Sequence, residues 1–527
     1  MSQRTTPSIT ATRRKLGNGL DRVSRGVSRR FAIDLRALAA LRIALGVLLL
    51  ADLALRSRQL VVFYTDDGVL PVDVFHATYP SNFSLHALSG EAWVQALLFL
   101  VAGTFALALL LGYRTRIATI ASWVLLLSLH ARNPMIVNAG DTLLRMLLFW
   151  SIFLPLGERW SIDARRIDRD RTTVTSVATM AILLQVLLMY VTNAIHKVRG
   201  DLWMEGEAVY HIFQADQYTI LLGNHLAEYA TLLRAITYAW MALLLLSPLL
   251  ILLTGYWRAA LATLFVGMHL GMFVTFWIDL FPAFVVASFI IFYPTAVWDR
   301  AAALATRVGV ATPLRRGLEH LQRTVPTLPV PPLSEAIRSP IPSASSVRAL
   351  AARSRTAVGT AIPWVFLVLV VLSNAQAVDY TEVPDAGEEV LDATGADQSW
   401  RMFAPDPITD TRWIVVPGEL ADGTEVDVRS GEDVDWDRPP SVEATYDTSR
   451  ERKYVSNMRY ADNEKHRSYY ANYLCDRWNA DHDGDEQLES LTLYGMTDQA
   501  GPDDDEPDVA EFELLEYDCS GDLVQNE

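Results

Sequence analysis

The feature that most constrains this chain is a succession of apolar runs. All but the third and fourth are close to the about 20 residues that an α-helix needs to cross the hydrocarbon core of a bilayer. They fall at about 35–55, 92–111, 117–129, 142–156, 174–195, 230–254, 259–278 and 281–297, and a last one at about 361–377. The third and fourth are short and continue into polar flanks. With 51% hydrophobic residues in 527, the chain is too long and too apolar for one ordinary soluble domain. The pattern predicts an all-α polytopic membrane bundle of about eight helices plus a ninth crossing.

Beyond the last run the chain changes character. Residues 380–527 hold 39 Asp and Glu against 11 Lys and Arg, a net of −28, whereas residues 1–379 carry +12. Two differently solvated parts share the chain. In the acidic part, RWIVVPGELADGTEVDV predicts a hairpin about its Ala-Asp-Gly turn. SLTLYGM and VAEFELLEYDC predict later strands, and RKYVSNMRYADNEKHRSYYANYLCDRWN reads as helical. The C-terminal part is therefore expected to be an α+β domain. PTLPVPPLSEAIRSPIP marks a semi-rigid Pro/Arg-rich spacer. The expected divisions are a basic segment 1–34, a membrane domain 35–298, a linker 299–360, a last membrane helix 361–379 and the acidic domain 380–527.

Basic loops set orientation. With nine crossings the N-terminus, Arg114 and Arg116, the turn 159–171, Arg258 and the linker share one side, which is then the cytoplasm. The acidic domain is exterior, and the chain is expected in the cell membrane. The basic run from Arg13 to Arg36 precedes an apolar helix, and no small-residue cleavage site comes after Leu50, so an uncleaved first helix is expected. Cys475 and Cys519 both lie in the exterior part, where a disulfide is allowed. They form no Cys/His cluster, and no metal is predicted. DHDGDE at 481–486 alternates acids as calcium loops do, but Thr492 stands where a bidentate acid belongs, which favours a solvated loop. The acidic surface suits a salt-adapted exterior or a cation-binding domain.

Chemistry is best sought in QVLLMYVTNAIHKVRGDLWMEGEAVYHIF, residues 185–213. Asn193, His196 and Lys197 stand at i, i+3 and i+4 and share one helix face. Lys197 at an apolar boundary can serve as a base, or it can snorkel and anchor the helix. His196 is a proton partner or an interfacial aromatic. Asp141 and Arg145, at i and i+4, are a structural ion pair or an acid that orients a catalytic group. His269 sits between Gly267 and Gly271, a small-xxx-small spacing that permits close helix contact, and is either a packing hydrogen bond or functional. No P-loop, Rossmann fingerprint, G-x-S-x-G or H-E-x-x-H is present, so nucleotide-driven and hydrolase readings lack support, and no nucleic-acid partner is expected.

LRALAALRIALGVLLLADLALR, then FYTDDGVLP, then SLHARNPMIVNAGDTLLRMLLFWSIFLPLGERWSID resembles the HTTM family, the horizontally transferred transmembrane domain related to vitamin K-dependent γ-carboxylase. The resemblance covers about residues 30 to 300. WRMFAPDP, residues 400–407, resembles the exterior tail that many such proteins carry. In the carboxylase relatives a membrane lysine deprotonates a vitamin K hydroquinone. Oxygenation then yields a strong base that removes a γ-proton from glutamate before CO₂ adds. The lysine lies in a segment shaped like N-A-I-H-K before a Trp, so the resemblance implies Lys197 as base, with Asn193, Trp203 and Arg145 at a quinone site. His196, Asp141 and His269 are the implied partners, His269 matching a later membrane histidine and the Gly140-Asp141 region replacing an earlier one. The implied cofactor is a reduced quinone of menaquinone or vitamin K type. The implied partners are membrane lipid and an exterior protein or peptide. The chain lacks the carboxylase's long lumenal substrate region, and its acidic tail is of a different kind. Two other readings remain open: a non-catalytic envelope protein that anchors the acidic domain, and a carrier of lipid or small solute.

Overall fold

Local chemistry sets the helix ends. α1 (Leu35–Ser57) starts at Asp34, whose carboxylate accepts from the Arg36 amide at 2.8 Å. α2 (Ala92–Leu111) stops at Gly112, whose φ of 66° lets the Tyr113 N–H return to the Ala108 carbonyl. A Cβ at Gly112 would collide with the Arg42 guanidinium. α3 (Thr115–Arg132) precedes α4 (Ala139–Ser151), which opens with a capping box between Asn138 and Asp141. α5 (Val177–Lys197) opens with the same device between Ser176 and Thr179. α6 (Ala230–Leu246), α7 (Gly255–Thr275) and α8 (Phe281–Phe289) complete the bundle before the linker. The structure, a computed structural model, describes residues 26–166, 171–325, 344–499 and 508–525. Most of the basic N-terminal segment and the Pro-rich part of the linker lie outside these.

The expected spacer begins as two helices, α9 (Thr295–Arg307) and α10 (Ala311–Thr324). Among the described residues, five helices are long and apolar enough to cross a membrane: α1, α2, α5, α7 and residues Thr360–Ala377. The last is part of α11 (Ala344–Ala377). A bent pair, Phe281–Phe292 with Thr295–Arg307, makes six if it is one span. Two expected runs are shorter than their hydropathy predicts, because proline ends them. The sixth breaks at Pro248, and the eighth at Pro294, which holds Tyr293 extended. With 13 residues, α4 reaches only about 20 Å. The segment after α5 folds into short helices at Asp201–Glu205, Ala208–Gln214 and Leu222–Leu226.

The C-terminal part contains α12 (Asp385–Thr394), α13 (Ser449–Met458) and α14 (Glu464–Asp481). After the small pair β1 (Ile33–Asp34) and β2 (Thr173–Val174), its sheet comprises β3 (Thr411–Val415), β4 (Pro417–Leu420), β5 (Glu425–Asp427), β6 (Leu488–Asp498) and β7 (Val509–Asp518). The hairpin is shorter than its pattern: β4 pairs with β5, while β3 pairs antiparallel with β6, as does β7. Cys475 and Cys519 form a disulfide between α14 and the residue after β7. Residues 483–486 are exposed, and Gly484–Glu486 make a single 3-10 turn.

Two hydrophobic cores do not respect the division at residue 380. Leu391, Ala396 and Trp400 pack into the core of the membrane helices. Phe63, Tyr64, Phe75 and Ile136, from the other side of the division, pack with Trp413, Tyr454 and Leu493.

Candidate functional site

α5 carries Asn193, His196 and Lys197 to its last turn. Gly200 then lets another segment approach, since a Cβ there would lie 2.2 Å from the Pro405 carbonyl oxygen. That segment, residues 398–406, lies over the end of α5. Asn193 Nδ2 donates to the Trp400 carbonyl at 2.8 Å and to that of Met402 at 3.2 Å. Lys197 Nζ donates to the Phe403 carbonyl at 3.1 Å, and Trp203 Nε1 to the same oxygen at 2.8 Å. The Lys197 ammonium sits 3.2 Å from the centroid of the Trp203 ring, a cation–π contact. Farther along α5, Gln185 Nε2 donates to Gln398 Oε1 at 2.6 Å, which also accepts from Trp400 Nε1 at 3.0 Å.

Beneath this roof is a cavity of about 860 Å³. Met189, Tyr190, Trp240, Met272 and Phe281 supply apolar lining, and Asn193, Lys197, Trp203, His269 and Asp279 share the wall. His269 Nδ1 donates to the Phe265 carbonyl at 2.8 Å, so in the neutral ring Nε2 is the acceptor that faces the Tyr190 hydroxyl at 3.4 Å. Among the described residues Gly267 and Gly271 make no close helix contact; a Cβ on either would meet nothing within 4 Å. Four of the expected residues, Asn193, Lys197, Trp203 and His269, therefore meet at one cavity. His196 does not line it, and its Nε2 donates to the Ser399 carbonyl at 3.2 Å.

Asp141 and Arg145 lie elsewhere and are not paired with each other. Asp141 accepts from Arg56 at 2.6 Å and from Arg450 at 2.9 Å. Arg145 donates to the Gly395 carbonyl at 2.7 Å and lies 3.2 Å from His130 Nδ1. Arg450 also reaches Asp52 and Asp279, both at 2.8 Å, and Arg56 pairs with Asp52 at 2.8 Å. Potential ligand atoms of Asp52, His130 and Asp141 lie within 4.8 Å of one another. Guanidinium groups already take the carboxylate oxygens and flank both His130 nitrogens, so the cluster has the chemistry of an ion-pair network.

Sequence reasoning missed the roof and two cations. The roof's WRMFAPDP stood out only as a tail. Arg452 and Lys453 also line the cavity. Arg452 is 8% exposed and donates through Nη2 to the Trp277 carbonyl at 2.6 Å. Its Nε and Nη1 have no hydrogen-bond partner among the described residues. The available signal was SRERK, residues 449–453, a basic knot in a domain of net −28.

Comparison with known proteins agrees with the architecture: the HTTM domain family model matches residues 31–298. No curated protein and no solved structure matches the chain.

Proposed function

The chain belongs to the HTTM domain family, and from that premise we propose that this membrane protein is a quinol-dependent oxygenase or carboxylase acting at the cavity under residues 398–406. The carrying observation is Lys197: a buried amine on the cavity wall, held by a carbonyl oxygen and an indole ring, with no salt bridge to a carboxylate among the described residues. No carboxylate locks its charge, and in its neutral form Nζ can take a proton from a bound hydroxyl. The aromatic and thioether lining suits a flat apolar ring, and Asn193, His269 and Tyr190 supply polar groups to orient it. When bound, a hydroquinone supplies a phenolic proton and reducing electrons for reaction with O₂. The roof excludes water from the amine. The acceptor in this reading is an exterior protein or peptide.

The proposed orientation is N-terminus inside, C-terminal domain outside. Contacts that gather basic segments at one end support it. Arg258 donates to the Arg30 carbonyl at 2.9 Å, Arg36 pairs with Asp299 at 2.8 Å, and Arg165 donates to the Gln322 carbonyl.

One observation favours a second reading, a non-catalytic envelope anchor: Asn193, His196, Lys197 and Trp203 all hold carbonyls of residues 399–403. Quinone epoxide formation decides between them. The full chain in lipid receives reduced menaquinone or vitamin K with O₂ and CO₂. The enzyme reading expects epoxide from wild type and none from folded Lys197→Met. Absence of epoxide from folded wild type, or its persistence in Lys197→Met, favours the anchor.

A further inference from the structure

α9 and α10 are helices without a core of their own, although Trp298 of α9 packs against the core of the membrane helices. Neither has a buried residue, yet both carry large apolar side chains; Leu304 is 60% and Leu314 68% exposed. In α10, Leu314, Leu318 and Leu321 stand at i, i+4 and i+7 and form one stripe, with Arg316, His320 and Arg323 on the far side. A stripe of this kind needs an apolar partner.

The contacts of these helices give their level. α9 leaves the preceding apolar helix at 104°, so it runs across the bundle direction. Its start is tied to the start of α1 by Arg36, which pairs with Asp299 at 2.8 Å and donates to the Thr295 carbonyl at 3.4 Å. Gln322 of α10 donates to the Ser161 carbonyl at 2.8 Å, and the neighbouring Ile162 amide donates to Leu111, the last residue of α2. Both helices thus lie level with the ends of long apolar helices. Aromatic residues surround that level. Trp298 meets Trp160 edge-on at 6.0 Å, and Arg300 lies 4.4 Å from the ring of Tyr256 at the start of α7. Tryptophan and tyrosine collect where hydrocarbon meets headgroups.

Charge identifies the occupant. Residues 295–324 hold five arginines and two acids, and both acids are already paired, Asp299 with Arg36 and Glu319 with Arg315. We infer that α9 and α10 form an arm that lies in the membrane surface, with its leucine stripe among the acyl chains and its arginines on anionic phospholipid headgroups. The arm does not depend on the cavity chemistry.

The test uses the full chain in vesicles of neutral lipid, or with about a third anionic phospholipid. Cys475 and Cys519 are joined, so an introduced thiol is the one labelled. An environment-sensitive fluorophore is placed in turn at Leu314→Cys, Leu321→Cys and His320→Cys. The expected result is blue-shifted emission and at least about twofold stronger quenching by lipid-borne quenchers at 314 and 321 than at 320. The contrast should deepen with anionic lipid and shrink when Arg307, Arg315, Arg316 and Arg323 are changed to Gln. Equal water exposure at all three sites would overturn the arm. Burial that ignores lipid charge and the arginines would overturn the anionic partner.

Discussion

Two buried polar regions lie close together and are built on opposite electrostatic plans. Around Arg450, three carboxylates from different parts of the chain, Asp52, Asp141 and Asp279, each lie within 2.9 Å of a guanidinium. That network is closed in charge: every carboxylate in it lies against a guanidinium, and the ion pairs bind α13 to α1 and α4. Around Lys197 and Arg452 the cations meet carbonyls and aromatic rings instead. That region is open, because a ligand can still change its charge balance. A closed network favours docking, whereas an open one leaves chemistry to be done. Asp279 touches both: it pairs with Arg450 and lines the cavity.

Breaking the closed network should have the largest effect. Arg450→Met removes the shared cation from three carboxylates and should lower stability by about 3–5 kcal/mol. Chemical unfolding followed by tryptophan fluorescence checks this, together with protease sensitivity of residues 380–527. A loss below about 1 kcal/mol would erase the distinction between the two regions.

A neutral contact at the same seam should come next. His466 of α14 meets the Tyr79 hydroxyl at 2.7 Å, and burial pushes its pKa down to about 4. An unfolded histidine titrates near about 6.5, so between the two values the unfolded chain binds the extra proton. His466 should therefore leave stability intact above pH ~6.5 and lower it as pH falls toward ~4, by on the order of 3 kcal/mol. Unfolding midpoints across that range should fall more steeply for wild type than for His466→Gln.

Gly200→Ala should cost about 1–3 kcal/mol, because the new Cβ pushes the roof off the end of α5. Faster proteolysis near residues 398–406 would register it. The smallest stability effect belongs to the open region. Lys197→Met should cost under about 1 kcal/mol, because Trp203 continues to donate to the Phe403 carbonyl. The same change should abolish epoxide formation. A large stability loss there would make Lys197 a structural residue and sharpen the anchor reading.

What the sequence by itself determined is what local rules can write. Apolar length predicted α1, α2, α5 and α7, and caps such as Asp34 and Ser176 mark where helices begin. The runs SLTLYGM and VAEFELLEYDC announced β6 and β7. Asn193, Lys197 and Trp203 were legible because one helix end and the turn beyond it hold them within eleven residues. The tertiary structure alone decided the rest. Arg450 meets Asp52 across 398 residues, and Phe403 reaches Lys197 across 206. Those pairings leave no periodicity in the chain, so Asp141 looked like a partner for Arg145 when a distant guanidinium claimed it. The roof was likewise invisible as a roof, because a tail rich in Trp, Phe and Pro takes its meaning from the surface it covers. Composition split the chain at residue 380, but packing joined the halves, since burying Trp400 among membrane helices and Phe75 beside Tyr454 removes apolar surface from water whichever part supplies it.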